Sequence, residues 1–128
     1  MTPSLQLTIE IAQDNKAQDI CLLDMREVCS FTDYFLIFSG TSSRQIQSVS
    51  DSILEALKKS GAPPLHVEGY RAAEWVLIDF FDFVVHIFSR RAREFYDLER
   101  LWGTAPHLEL PKEIEKPSPP EVPFPGRI

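Results

Sequence analysis

The chain has few cysteines and no long apolar run. Its 128 residues include two cysteines, which are too few for a disulfide framework and are not spaced as metal ligands. No segment is long and apolar enough to predict a membrane span, and the first residues lack the basic and apolar parts of a signal peptide. These absences exclude a secreted scaffold held by disulfides. They predict a protein of the reducing cytoplasm with no membrane attachment.

Positive charge is also scarce. The sequence has 13 Lys and Arg against 19 Asp and Glu, which gives a formal net charge of −6. Binding to a phosphate backbone depends on Lys and Arg, so we expect little direct contact with nucleic acid. Arg90, Arg91 and Arg93 are close together in the sequence, and they leave a local basic patch open as an alternative.

Proline is distributed unevenly along the chain. Seven of the ten prolines lie at or after residue 106, where they remove backbone donors and block helix and central strand. We therefore expect two parts, a folded domain over residues 1–105 and a proline-rich, disordered tail over residues 106–128. A domain of about 100 residues is long enough to bury a hydrophobic core.

Short apolar runs between turn residues predict the strands of the domain. The predicted strands cover residues 20–25, 33–39, 65–67, 74–79 and 82–88. Residues 2–16 fit either a helix or a strand, because apolar residues recur there at both spacings. A helix is predicted from Ser42, which opens a capping-box pattern, to Gly61.

A last helix is predicted over residues 92–102. Its apolar residues have helical spacing and are expected to be buried; they are Phe95, Leu98, Leu101 and Trp102. The order of elements predicts an α/β fold with a mixed β-sheet flanked by helices.

The strands predicted over 74–79 and 82–88 form a hairpin if Phe80 and Phe81 are its turn. This register gives three cross-strand pairs, which are Asp79–Asp82, Leu77–Val84 and Trp75–His86. Paired residues, and residues two apart along a strand, share a face of the sheet. One face is then entirely apolar and belongs to the core, whereas the other is mixed. The mixed face carries Trp75, Leu77, Asp79, Asp82, Val84, His86 and Phe88.

We predict that this mixed face binds a partner protein, because large apolar surfaces interrupted by polar residues often mark interfaces. Trp75 is the candidate anchor, since tryptophan is enriched at interface centres; the alternative is that the last helix covers it. Asp79 and Asp82 either cap backbone groups of the turn or contact the partner. A lone strand histidine such as His86 is more often packed than catalytic.

The turn that begins at Gly40 suggests an enzyme class as an alternative. A strand, a Gly-Thr/Ser turn and a helix also begin nucleotidyltransferase domains, which hold Mg²⁺ and a nucleotide with alternating carboxylates. Here the residues that follow Gly40 contain no such pair, and no Gly-rich phosphate loop of the P-loop type is present. Ser42 is then a helix cap. We expect no enzyme activity and no cofactor or metal.

Several short motifs together resemble the ribosomal silencing factor (RsfS) family, also known as Iojap-like proteins. They are Thr-Asp-Tyr-Phe, Gly-Thr-Ser-Ser-Arg, Val-Glu-Gly, Trp-x-x-x-Asp, Val-His and Tyr-Asp-Leu-Glu-x-Leu-Trp. The resemblance extends over about residues 5–104, and the combination is specific although each motif alone is weak.

This resemblance implies a nucleotidyltransferase-like fold without catalytic carboxylates, and a helix over residues 2–16. It also implies a non-enzymatic factor that binds the large ribosomal subunit through large-subunit ribosomal protein fourteen. Such a factor blocks joining of the small subunit and represses translation under nutrient limitation. By position, Trp75 matches the interface tryptophan of the family, and Leu77, Asp79 and His86 lie in its signature strands. A homodimer that uses the same face is a further alternative.

The hairpin tip departs from the family pattern. Family members have Asp-aromatic-Gly-Asp, whereas this chain has Asp79, Phe80, Phe81 and Asp82. Glycine supplies the positive φ that a tight two-residue turn requires, and phenylalanine is strained there. We expect either a different turn, with a changed register, or a strained phenylalanine.

Overall fold

Six strands form one mixed sheet in the computed structural model of the chain, which describes residues 2–111. The helices are α1 (Pro3–Asp14), α2 (Ser43–Lys59), α3 (Arg90–Tyr96) and α4 (Leu98–Leu101). The strands are β1 (Gln18–Asp24), β2 (Tyr34–Gly40), β3 (His66–Glu68), β4 (Trp75–Asp79), β5 (Phe83–Ser89) and β6 (His107–Leu108). The order across the sheet is β3-β4-β5-β2-β1-β6, and only the β2–β5 pair among these strands is parallel. The predicted α/β fold with a mixed sheet is confirmed.

A helix forms within residues 2–16, as the resemblance implies, and covers Pro3–Asp14. The Thr2 hydroxyl caps α1 by accepting a hydrogen bond from the Leu5 N–H at 3.2 Å, and Pro3 occupies the first turn, where no N–H is needed. Leu5, Ile9 and Ala12 are fully buried on one stripe. The helical spacing therefore describes this segment, and the alternation does not.

Helices α1 and α2 pack together on one face of the sheet. Ser42 caps α2 as predicted, because its Oγ accepts a hydrogen bond from the Gln45 N–H at 3.0 Å. The sheet contributes to this core the apolar side of the hairpin, as predicted; the residues are Val76, Ile78, Phe83, Val85 and Ile87.

The register predicted for the hairpin is wrong by two residues. Trp75 pairs with Phe88, Leu77 with His86, and Asp79 with Val84. The turn residues are Phe81 and Asp82, because the Phe80 N–H donates to the Phe83 carbonyl at 2.9 Å. Since a slip of two residues restores the side-chain alternation, the two predicted faces keep their strand residues.

The helix predicted over residues 92–102 is two short helices. Asp97 lies between them with φ 43°, in the left-handed region, and this turns the chain. The new direction removes most of the predicted buried stripe. Leu98 is 7% exposed, whereas Phe95 is 78% and Leu101 is 70% exposed.

The predicted tail begins with a strand. His107 and Leu108 of β6 pair with β1, and the Asp24 N–H donates to the Pro106 carbonyl at 2.8 Å. Proline at position 106 needs no N–H here, because only its carbonyl enters the sheet. The boundary predicted at residue 106 therefore falls before the last strand. The rest of the disordered tail predicted for residues 106–128, from residue 112 onward, lies outside the described residues.

Candidate protein-binding surface

The second face of the sheet is only partly covered. Ala92 of α3, Leu98 of α4 and nearby loop residues pack on it beside β1, β2 and β5. Towards β4 this cover ends, so Trp75 and Leu77 are half-buried and border solvent. Four residues at this border form what we call the aromatic surface: Trp75, Leu77, Phe95 and Tyr96.

Ring contacts hold the aromatic surface together. The Trp75 ring lies 4.7 Å from that of Tyr96 and 5.1 Å from that of Phe88, measured between centroids. Phe95 stands perpendicular to Tyr96 at 5.0 Å. Such tilted and edge-to-face arrangements are favourable for aromatic pairs. Phe88 is fully buried, and Tyr96 is 47% exposed. The contacting rings therefore extend from the core to the solvent-exposed surface.

His86 lies beneath this surface and orients its tryptophan. The Trp75 indole N–H donates to His86 Nδ1 at 3.1 Å, and the Phe35 ring packs edge-on against the imidazole at 4.5 Å. His86 is 4% exposed. Burial lowers its pKa from 6.5 to about 3, so the ring is neutral near neutral pH.

The neutral ring also has a defined tautomer. Because Nδ1 accepts the indole hydrogen bond, Nε2 carries the proton. Among the described residues, this buried Nε2 has no hydrogen-bond partner. His86 therefore fixes the position of Trp75 from below.

The two hairpin carboxylates lie at the other end of β4 from Trp75. Asp79 Oδ1 accepts a hydrogen bond from the Phe81 N–H at 2.8 Å, so it caps the turn. Asp82 is exposed in the turn, and Val84 is 5% exposed beside Asp79. Of the six predicted site residues, the structure thus brings Trp75, Leu77 and His86 together.

Sequence reasoning missed Phe95 as a surface residue. Its spacing to Leu98 and Leu101 indicated a buried helical stripe. The one signal that could have separated them is Asp97, a residue type that tolerates the left-handed conformation and so ends a helix. Tyr96 does cover part of Trp75, which was the predicted alternative for that tryptophan.

The arginine cluster does not form an open basic patch. Arg93 pairs with Glu99 at 2.8 Å and donates to Ser39 Oγ at 3.1 Å, so it is held within the fold. Arg90 donates to the side chain of Gln18 at 2.8 Å. Arg91 is exposed, as Arg90 is, and it lies at the edge of the aromatic surface in a groove that Glu74 and Glu94 also line.

No group of three or more His, Cys, Asp and Glu side chains within residues 2–111 is arranged to hold a metal ion. The nearest approach to a reactive pair is Cys21 Sγ, 3.6 Å from His107 Nδ1. Burial raises the pKa of the Cys21 thiol, and the neighbouring Glu99 raises it further, while Arg93 lowers it. A thiol with a raised pKa is a weak nucleophile at neutral pH.

The helices of the described residues are all too short or too polar to cross a membrane.

The fold and this surface define a class of protein: a small α/β domain with two helices on one sheet face and an open, aromatic second face. Within that class, the family described as ribosomal silencing factor during starvation matches residues 2–123. The chain belongs to this family.

Relatives and solved structures agree with the family. The chain is 40% identical to a ribosomal silencing factor of Halalkalibacterium halodurans over 83% of this chain and 91% of the relative. It is 39% identical to the factor of Bacillus subtilis over 83% and 90%. A crystal structure of a Chromobacterium violaceum protein, 35% identical, matches with a TM-score of 0.77 over 80% of this chain and 88% of that one.

A more distant relative has a different name. The chain is 32% identical to the mouse protein named mitochondrial assembly of ribosomal large subunit protein 1, over 77% of this chain and 44% of the mouse protein.

Proposed function

We propose that the chain is a ribosomal silencing factor that binds the large ribosomal subunit through large-subunit ribosomal protein fourteen. Bound there, it prevents the small subunit from joining and so represses translation under nutrient limitation. We also propose that it acts in the cytoplasm, without a cofactor and without enzyme activity. Family membership supports this role, and the name of the mouse relative supports an association with the large subunit.

The observation that carries the proposal is the exposure of the aromatic surface. Phe95 is 78% exposed and Tyr96 is 47% exposed, so apolar ring surface of both residues is in contact with water. Burial of apolar area against a partner is worth roughly 25 cal/mol per Å² before the costs of association are subtracted. Tryptophan and tyrosine are also enriched among the residues that dominate binding energy.

The six predicted site residues take different parts in this proposal. Trp75 and Leu77 contact the partner directly. Asp79 and Asp82 act at the hairpin tip; Asp79 lies about 13 Å along the strand from Trp75, and Asp82 lies in the turn beyond it. Val84 and His86 are too buried to be free contacts, and they shape the surface from beneath.

The negative net charge of the chain also favours a basic ribosomal protein as the partner. The chain has a net charge of −6, and a basic ribosomal protein offers the opposite sign. Opposite charges speed the encounter and orient the two proteins, and both effects weaken as salt is added.

A pair of matched variants tests the surface. Phe95→Ser removes an exposed ring of the aromatic surface, and Leu65→Ser removes an equally exposed apolar side chain (68%) near the other end of β4. We expect Phe95→Ser to weaken co-sedimentation with purified large ribosomal particles by at least about 10-fold, and Leu65→Ser by less than about 2-fold. Equal affinities for the two variants would show that the partner does not use this surface.

Self-association through the aromatic surface is a second candidate, because the same exposed rings could pair with a second copy. Analytical ultracentrifugation over a range of protein concentrations tests it. A dimer that Phe95→Ser dissociates would support this use of the surface, and a monomer at all concentrations would exclude it.

The nucleotidyltransferase alternative has less support. The turn after Gly40 opens a helix, but Ser42 caps that helix and the described residues offer no cluster of metal ligands. Calorimetric titration with Mg²⁺ and ATP or CTP tests the non-enzymatic proposal. Heat that saturates at one nucleotide per chain would contradict it.

A further inference from the structure

The hairpin tip carries an exposed aromatic residue in a strained backbone conformation. Phe81 is 66% exposed and has φ 74°, in the left-handed region. The Asp82 N–H donates to the Phe80 carbonyl at 2.9 Å, so the chain reverses tightly around Phe81. A bulky residue with positive φ is unfavourable, and most of this residue is exposed to water rather than packed.

The peptide groups on both sides of Phe81 are held in place. The Asp79 carboxylate accepts from the Phe81 N–H at 2.8 Å, and the Thr32 hydroxyl donates to the Phe81 carbonyl at 3.0 Å. The carbonyl of Asp82 accepts from the N–H groups of Asp33 and Tyr34 at 3.0 and 3.2 Å. The strained conformation is therefore specified by its surroundings, and such strain is concentrated at functional positions.

A second exposed phenylalanine lies on the segment that braces the tip. Phe31 is 57% exposed, it precedes Thr32, and its ring lies 6.1 Å from that of Phe35. Phe35 in turn contacts His86 beneath Trp75, so ring contacts connect Phe31 to the aromatic surface.

Two acidic residues lie close to these phenylalanines in the chain. Asp33 and Asp82 are both exposed. The nearby Arg26 is already paired with Asp24 at 2.7 Å, a pairing that lowers the pKa of Asp24 to about 2. We call the four residues Phe31, Asp33, Phe81 and Asp82 the tip patch.

We propose that the tip patch is a second contact with the same basic protein of the large subunit, and that it binds an Arg or Lys side chain of that partner. This inference rests on the proposed function. A guanidinium or ammonium group is attracted both to the face of an aromatic ring and to carboxylates. One cation placed between Phe81 and Asp82 satisfies both attractions.

The distances allow one partner to reach both surfaces. Phe81 follows Trp75 by six residues of an extended hairpin, which is on the order of 20 Å. A standard interface buries about 800 Å² on each partner and is on the order of 30 Å across. The aromatic surface and the tip patch therefore fit within one interface.

Two substitutions of Phe81 distinguish the effect of its ring on binding from the effect of its strained backbone on stability. Phe81→Gly removes the ring and relieves the backbone, since glycine accepts positive φ. Phe81→Tyr keeps both the ring and the strain. Thermal unfolding and co-sedimentation with purified large ribosomal particles are measured for both variants and for the wild-type chain.

We expect Phe81→Gly to bind at least about 5-fold more weakly, with a thermal midpoint equal to or above that of the wild type. Phe81→Tyr should bind within about 2-fold of the wild type. Asp82→Asn should weaken binding and reduce its dependence on salt.

Three results would overturn the inference: unchanged binding by Phe81→Gly, equal losses in the Gly and Tyr variants, or a lower thermal midpoint for Phe81→Gly. The last would mean that Phe81 supports the fold. A wild-type chain that fails to bind the large particles would instead contradict the proposed function, before any variant is compared.

Discussion

One hydrogen bond, between Trp75 and His86, connects the proposed interface to the core. The indole N–H donates to a buried imidazole, so the tryptophan offers a partner mainly its ring. A residue with few remaining rotamers loses little entropy on binding, which favours affinity. The same contact makes the surface sensitive to the charge of His86.

Acid should destabilise the fold through His86. Its pKa is about 3 in the folded chain against 6.5 for an ordinary histidine, so below pH 6.5 the unfolded chain binds a proton that the folded chain excludes. The free energy of unfolding should therefore fall by about 2 kcal/mol from about pH 7.5 to about pH 5. Urea denaturation at several pH values measures it.

His86→Phe provides the control for this pH dependence. The variant is expected to be less stable at neutral pH, because the partly buried indole N–H loses its acceptor. Its stability should nevertheless vary little over the same pH range. If the wild type and this variant have the same pH slope, His86 is not the group responsible.

Gly69 packs directly against the backbone of Trp75. It has φ 80°, and a Cβ added there would clash with the Trp75 carbonyl oxygen. Gly61 has a similar φ of 84°, but a Cβ added to it would have no atom within 4 Å. Gly61→Ala should lower the free energy of unfolding by about 1 kcal/mol, because of its backbone conformation alone. Gly69→Ala should lower it by about 3 kcal/mol or more, because the added Cβ also clashes. Equal unfolding free energies for the two variants would show that the strand moves aside freely.

Residue identities on the hairpin were predictable to the extent that they depend on alternation. The sequence correctly separated Val76, Ile78 and Val85 from Trp75 and Leu77, because strand geometry assigns faces by parity. It could not predict the turn. Phe81 adopts a conformation that its side chain disfavours, and a local hydrogen bond to Asp79 and a long-range hydrogen bond from Thr32 hold it there.

Among the elements, α3 and α4 decide how much of the second sheet face stays open. Arg93 links them, since its guanidinium pairs with Glu99 at 2.8 Å and donates to Ser39 of β2 at 3.1 Å. The Arg93 and Glu99 side chains are 13% and 27% exposed. The pair is thus largely shielded from water and couples both helices to the sheet.

Removal of the Arg93 link should destabilise the fold. Arg93→Gln leaves Glu99 without its cation, and we expect a loss of about 2 kcal/mol of unfolding free energy. Lys59→Gln breaks the pair with Glu55 on α2, where both side chains are more than two-thirds exposed. That control should change stability by less than about 0.5 kcal/mol. Chemical denaturation of both variants checks the difference, and similar losses would contradict a structural role for the buried pair.

The division of the last helix shows why the second face was harder to predict than the first. Apolar residues at helical spacing have the same pattern whether they face a core or a partner. The direction of α4 depends on the left-handed conformation of Asp97, which the residue type permits but does not require, and on the Arg93 link to Glu99 and Ser39, which depends on the fold. Strand β6 was not predicted for a related reason. It has only two residues, which pair at a sheet edge, and the many prolines around it indicated an unfolded segment.

At the scale of the whole molecule, one sheet face forms the core and the other is the proposed binding surface. Helices α1 and α2 pack on one face and form the larger core cluster together with the sheet. The other face keeps exposed rings near Trp75, and the acidic chain as a whole complements a basic partner. The family is shown by the comparisons, and the use of this face remains our proposal.

The most direct test is a sucrose gradient in which purified large and small ribosomal particles are mixed with and without the protein. The proposed mechanism predicts that the protein sediments with the large particles and that the joined ribosome peak decreases as the protein concentration rises. Phe95→Ser should leave that peak at its original height. Sedimentation of the protein with the small particles, or with joined ribosomes whose amount is unchanged, would contradict the proposal.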